Sequence, residues 1–130
     1  MGSIQALACA GTLIVAGCAP ACPLAGQSAV REVRLYFGHA IPGGGTVGTA
    51  DWRTFADAVL TPAFPDGFTT YDATGAWRDR EGHAVREATS VVEVFGDVPA
   101  DRVARVVEAY RQKFHQEAVG VVNARACAAF

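Results

Sequence analysis

The chain predicts an α+β fold of order βαββαβ, one antiparallel sheet with two helices on one face. Three observations carry this reading. Short stretches of alternating or β-branched and aromatic residues recur four times, and two segments between them space their apolar residues as helices do. The third is size, since 130 residues suffice for one small domain and not for two. Right-handed crossovers fold six elements in this order into a ferredoxin-like sandwich.

The first strand is read at Glu32 to Phe37, where Val33, Leu35 and Phe37 alternate with Glu32, Arg34 and Tyr36. A glycine-rich loop from Pro42 to Gly48 leads to Thr49 as a helix N-cap, with Asp51 in the first turn. Trp52, Phe55, Ala56, Val59 and Leu60 then recur at the spacing of one helix face, and Pro62 is expected to end that helix. Phe68 to Ala73 and Val85 to Phe95 read as strands, joined through Asp79-Arg80-Glu81-Gly82 as a hairpin connection. The second helix starts at Asp97 or Pro99 and buries Val103, Val106, Val107, Tyr110 and Phe114. Asp101 and Arg105 can pair across one of its turns. A last strand covers Val119 to Val122. The sheet face away from the helices shows Glu32, Arg34 and Tyr36, an amphipathic surface that can be solvated, hold a small ligand or pair with a second subunit.

Charge divides the chain. The net charge is -2, from 11 basic and 13 acidic residues, which gives no electrostatic footprint for nucleic acid. All of these residues lie from Arg31 onward, so the first 30 positions belong to a different physical class. Ile4 to Gly17 is an apolar run of signal-peptide length, and Pro20 and Pro23 interrupt it before the ~20 residues a spanning helix needs. The leader carries no Lys or Arg, leaving the Met1 amine as its positive group. Val15-Ala16-Gly17-Cys18 resembles a bacterial lipobox, which implies diacylglycerol on the Cys18 thiol and cleavage before it. Residues 1–17 are then a lipoprotein-type signal, 18–29 a small-residue tether and 30–130 a single α+β domain. Two or more acyl chains hold a protein stably on a bilayer. Ala19 is not acidic, and by resemblance to Gram-negative sorting the expected place is the outer membrane, facing the periplasm. The alternative is a plain cleaved signal and a secreted chain.

The four cysteines lie at positions 9, 18, 22 and 127. Cleavage removes Cys9 and lipidation occupies Cys18, which leaves Cys22 and Cys127 at opposite ends of the mature chain for a disulfide in an oxidising compartment. The other reading of Cys127 is a reactive thiol, which needs a helix N-terminus or a cationic neighbour.

Candidate chemistry is sparse. Gly43, Gly45 and Gly48 spell G-x-G-x-x-G, but the loop is too long for a dinucleotide turn and the domain too short for two mononucleotide halves. No Lys-Ser/Thr follows to make a P-loop, and no cofactor is expected. His39, His83 and His115 lack metal-ligand spacing and read as ordinary surface residues, so no metal is expected either. Asp72, Trp77, Arg78, Arg86 and Glu87 flank the hairpin. The plainer reading is a cross-strand ion pair that fixes register. The functional reading joins them with Arg34 and Tyr36 in a ligand pocket on the open face. No Ser-His-Asp or Cys-His set is recognisable.

Several segments together resemble a bacterial family known as domain of unknown function 3574. They are Leu35-Tyr36-Phe37-Gly38, Trp52 with Phe55, Thr61 to Thr69, Asp72-Ala73, Gly75-Ala76-Trp77-Arg78, Arg86-Glu87, Phe114-His115-Gln116-Glu117 and Ala126-Cys127. The likeness covers roughly Cys22 to Phe130 and implies secreted or lipid-anchored proteins with a cysteine near each end of the mature chain, in agreement with pairing Cys22 to Cys127. Where the family pattern has Arg, Gln and Lys, this chain has Ala63, Ala76 and Ser90. The resemblance implies no reaction. The functional expectation is a cell-envelope lipoprotein acting as a non-catalytic interaction or structural module, its partners the membrane through the anchor and a second copy through the sheet face. The alternative is a small-molecule binding protein or enzyme using that open face.

Overall fold

The structure is a computed structural model that describes residues 22–130; the leader, Cys18 and the first part of the tether lie outside the described residues. The strands are β1 (Ser28–Gly38), β2 (Thr69–Arg78), β3 (Ala84–Phe95) and β4 (Gly120–Ala128). They form one antiparallel sheet in the order β2-β3-β1-β4, the arrangement of the ferredoxin-like sandwich. Between β1 and β2 runs a helical rod, made of α1 (Thr49–Phe55), a π-helical segment (Ala56–Leu60) and the short α2 (Thr61–Ala63). The second helical layer is α3 (Ala100–Phe114). Among the described residues no helix is long and apolar enough to cross a membrane.

Alternation along β1 sets the layers. Val33, Leu35 and Phe37 are fully buried against the helices. In β3, Ser90, Val92 and Val94 stand opposite Phe37, Leu35 and Val33 and are buried with them. The helices contribute Phe55 and Leu60 from the rod and Val106, Tyr110 and Phe114 from α3. An aromatic cluster closes this core at one end, with Tyr110 4.8 Å from Phe37 and 5.1 Å from Phe55 between ring centroids. Edge-to-face pairs of this kind add roughly 0.5–1.5 kcal/mol each beyond burial. The Tyr110 phenol donates to the Gly38 carbonyl at 2.8 Å, so α3 is fastened to the end of β1. Burial raises its pKa and keeps the phenol protonated as that donor.

Boundaries of four elements differ from the sequence reading. β1 starts at Ser28, inside the expected tether, because β4 runs to Ala128 and pairs Ser28 with it. β4 extends well past Val122, and most of its side chains are exposed on both faces, so hydrophobic alternation does not mark it. β2 continues from Ala73 to Arg78 through Gly75, held by its ladder with β3 and not by burial. In the first helix Gly48, not Thr49, is the N-cap, and Pro62 does not end the rod. The chain widens to π-helical bonding over Ala56–Leu60, and Pro62 falls in the first turn of α2, where its missing N–H is not required. Asp101 and Arg105 pair as the spacing predicts.

Cys22 and Cys127 form a disulfide with Cα atoms 5.5 Å apart at a sequence separation of 105. It staples the start of the domain to the last strand, and a bond of this kind fits a non-cytoplasmic compartment. Closing so long a loop stabilises a small domain by about 2–5 kcal/mol, mainly by restricting the unfolded chain. Cys127→Ser, or reduction, is therefore expected to lower the unfolding free energy by that amount in urea titrations read by circular dichroism, with the fold retained.

Candidate functional site

The open face of the sheet is not flat. Opposite residues on antiparallel strands share a face, so Tyr36 and Gly38 of β1, Glu87 and Thr89 of β3, Gly75 and Trp77 of β2 and Gly120 of β4 all lie there. Gln116 and Ala118, from the turn between α3 and β4, close one end. Together these residues enclose a pocket of about 290 Å³, near the low end of small-molecule sites.

The pocket exists because three strand positions lack a side chain. A Cβ at Gly38 would collide with the Glu87 carboxylate, one at Gly75 would lie 2.8 Å from the Thr89 hydroxyl, and one at Gly120 would press on Tyr36 at 3.2 Å. Glycine weakens a strand interior, and in such places it marks close approach by another group. Here that group is the Glu87 side chain, which lies across Gly38. The Trp77 indole N–H donates to its Oε1, and the Ala40 backbone N–H donates to its Oε2 at 2.6 Å. Gln116, itself buried, donates its amide to the Ala40 carbonyl at 2.8 Å, so the peptide that grips Glu87 is fixed from a second side. Among the described residues no cation pairs with Glu87.

The structure separates the residues that the sequence grouped. Tyr36, Trp77 and Glu87 line the pocket. Arg34 shares the face but is committed to Glu93, through its Nε at 2.8 Å, and to Glu32; the hydrogen bond to Glu93 raises its pKa further. Asp72, Arg78 and Arg86 point to the other face, by the alternation of β2 and β3, and are exposed. Arg78 closes the hairpin by donating to the Gly82 carbonyl at 2.9 Å. The expected cross-strand ion pair does not form. Arg86 and Glu87 are neighbours on one strand and so face opposite ways, while Asp72 and Arg86 stand four ladder positions apart, roughly 13 Å at strand spacing.

His39 also differs from expectation. It is half-buried, not a surface residue, with Nε2 3.0 Å from the buried Ser90 hydroxyl and its ring 5.8 Å from Trp52. Burial lowers its pKa, against the opposing pull of Glu87 and Asp72. His83 pairs with Asp79 in the hairpin, and His115 takes a left-handed conformation at the end of α3. The glycine loop is a backbone device. Gly43, Gly44 and Gly45 all have positive φ, and Ala40 bridges Thr46 across the excursion.

Sequence reasoning missed Gly38, Gly75, Thr89, Gln116, Ala118 and Gly120. A signal was present for half of them. The segments Leu35 to Gly38, Gly75 to Arg78, Arg86-Glu87 and Phe114 to Glu117, quoted for the family resemblance, converge on this one pocket. A wider groove between α3 and β4 holds Arg31 and Arg125 beside valines and alanines but gathers no such set.

The depressed His39 pKa gives a pH prediction. In the unfolded chain the imidazole titrates near 6.5 and in the folded chain below that, so the unfolded state binds more protons in this window. Stability should fall as pH drops from 6.5 toward 5. His39→Asn should remove that slope when unfolding free energies are compared across the same range.

Among solved structures, the chain resembles a phage SAM lyase in complex with S-methyl-5'-thioadenosine, at 14% identity and TM-score 0.59, covering 81% of this chain and 91% of the other. The same phage lyase in its apo state matches at 14% identity and TM-score 0.52, covering 86% and 97%. A B. subtilis GlnK–ATP complex matches at 12% identity and TM-score 0.49, covering 79% and 84%. These likenesses concern the fold. No protein with a curated description matches the chain. The family model for Protein of unknown function (DUF3574) matches residues 32–130, and the chain belongs to that family.

Proposed function

We propose that this protein is an exported small-molecule binding protein whose ligand sits in the open-face pocket, with the domain held at the membrane by a lipid on Cys18. One observation carries the binding reading. A carboxylate without an ion-pair partner stands at the wall of a concavity kept open by glycines. A structural ion pair would satisfy Glu87 from within the fold. Instead its two oxygens take one neutral donor each and retain lone pairs for a further donor. Tyr36 and Trp77 supply apolar, flat walls, while Thr89 adds a hydroxyl. Few polar groups amid aromatic and small residues is the usual make-up of a site that orients a small ligand. In the phage SAM lyase, the same fold accommodates S-methyl-5'-thioadenosine. The Cys22–Cys127 disulfide supports placement outside the cytosol, and the lipobox-like tetrapeptide supports an anchor in the envelope. A non-catalytic interaction module is the competing reading, and a second copy on the open face would then cover Tyr36 and Trp77.

A fragment screen by protein-observed NMR separates the two readings. Fragments are expected to bind and to shift the Trp77 indole N–H resonance. Ala118→Trp, at an exposed position on the pocket wall, should abolish that binding while changing stability by no more than about 0.5 kcal/mol. Binding that survives this substitution, or no binding at all, would favour the interaction module.

A further inference from the structure

The ligand's charge can be read from the pocket, resting on the binding reading above. Its lining contains one ionisable acid, Glu87, and no Lys or Arg. The guanidiniums of neighbouring residues lie outside the lining and bond elsewhere. Arg34 is held by Glu93 and Glu32, Arg78 turns back to the Gly82 carbonyl, and Arg80 reaches Glu117 at 3.7 Å. His39 is close enough for the Glu87 charge to act on it, but burial disfavours its charged form, so it does not neutralise Glu87 near neutral pH. The Glu87 charge therefore has no cationic partner in the lining, which also holds the Tyr36 and Trp77 rings. Trp77 spends its only polar hydrogen on Glu87, and the ring face that remains presents its negative quadrupole. Tyr36, packed over Gly120, lines the same pocket with its hydroxyl beside the Arg34 guanidinium. An anionic ligand would meet repulsion here, and a neutral polar one would find few partners.

We propose that the pocket selects a small organic cation, with an alkylated ammonium or similar onium centre seated between Tyr36 and Trp77 against the Glu87 carboxylate. Ring faces attract such a centre through their quadrupoles, and the effect is larger at desolvated sites. A bulky onium ion also suits a carboxylate whose strongest lone-pair positions are already occupied by N–H donors, because it needs contact and charge more than a directed hydrogen bond. Thr89 and Gln116 then border the uncharged remainder of the ligand.

The test compares choline with its uncharged isostere 3,3-dimethylbutan-1-ol on the full-length protein, following the Trp77 indole N–H resonance. Choline is expected to bind about tenfold or more tightly than the isostere. Glu87→Gln should weaken choline more than the isostere, which controls for the N–H bond that the amide cannot accept, and Tyr36→Leu should also weaken choline more than the isostere. Equal binding of the two probes by the unaltered protein overturns the charge assignment and leaves the pocket intact. Fragments that bind while neither probe does also overturn it. Failure of fragments and probes alike overturns the binding reading as well.

Discussion

The end of β1 is where the fold is most tightly constrained. At Gly38 the strand has no side chain, the Glu87 carboxylate occupies the space one would fill, and the Tyr110 phenol bonds the Gly38 carbonyl. Two residues on, Ala40 gives its N–H to Glu87 and its carbonyl to Gln116. A few bonds thus tie β1 to β3 on the open face and to α3 and its following turn on the other. A glycine in a strand costs conformational entropy on folding, and the notch it leaves is what admits a charged side chain so near the sheet.

That arrangement divides the molecule by chemistry. The helix-facing side is a dry aromatic and aliphatic core with one polar pair, His39 and Ser90, near its border. On the open side the charges of β1 and β3 resolve into two groups, while Asp72, Arg78 and Arg86 lie exposed on the other face. Arg34 bonds both Glu32 and Glu93 across β1 and β3. Glu87 has only neutral donors. In the first group Glu32 is buried and Arg34 and Glu93 are half-buried, and the cluster ties β1 to β3 at a fixed register. The second accepts one N–H on each oxygen, which a neutral amide, with one oxygen and one NH2 group, could not do.

Compartment and covalent structure reinforce each other. A single small domain buries a limited share of its surface, and both edge strands here are long and exposed. The Cys22–Cys127 bond joins the entry of the chain to the edge strand β4 and limits fraying of the strand with the least core contact. Such a bond persists only where thiols are not kept reduced.

Much of this was legible in the sequence. Period-two alternation in Val33, Leu35 and Phe37, the helical stripe from Trp52 to Leu60 and the α3 face around Tyr110 are strong local signals, because each element must bury one side. The element order then fixed the topology, and the cysteine positions pointed to the disulfide. The rest depended on contacts between distant segments. β2 beyond Ala73 and β4 beyond Val122 are strands by virtue of their ladders, with little burial to leave a pattern. Tyr36, Trp77 and Glu87 were visible as candidates, but adjacent residues on a strand face opposite ways, so only register could separate Glu87 from Arg86 and from Asp72. The glycines at 38, 75 and 120 are uninformative one by one. They acquire meaning when three strands and the turn after α3 are brought side by side, because a pocket is an absence of side chains shared among segments far apart in the chain.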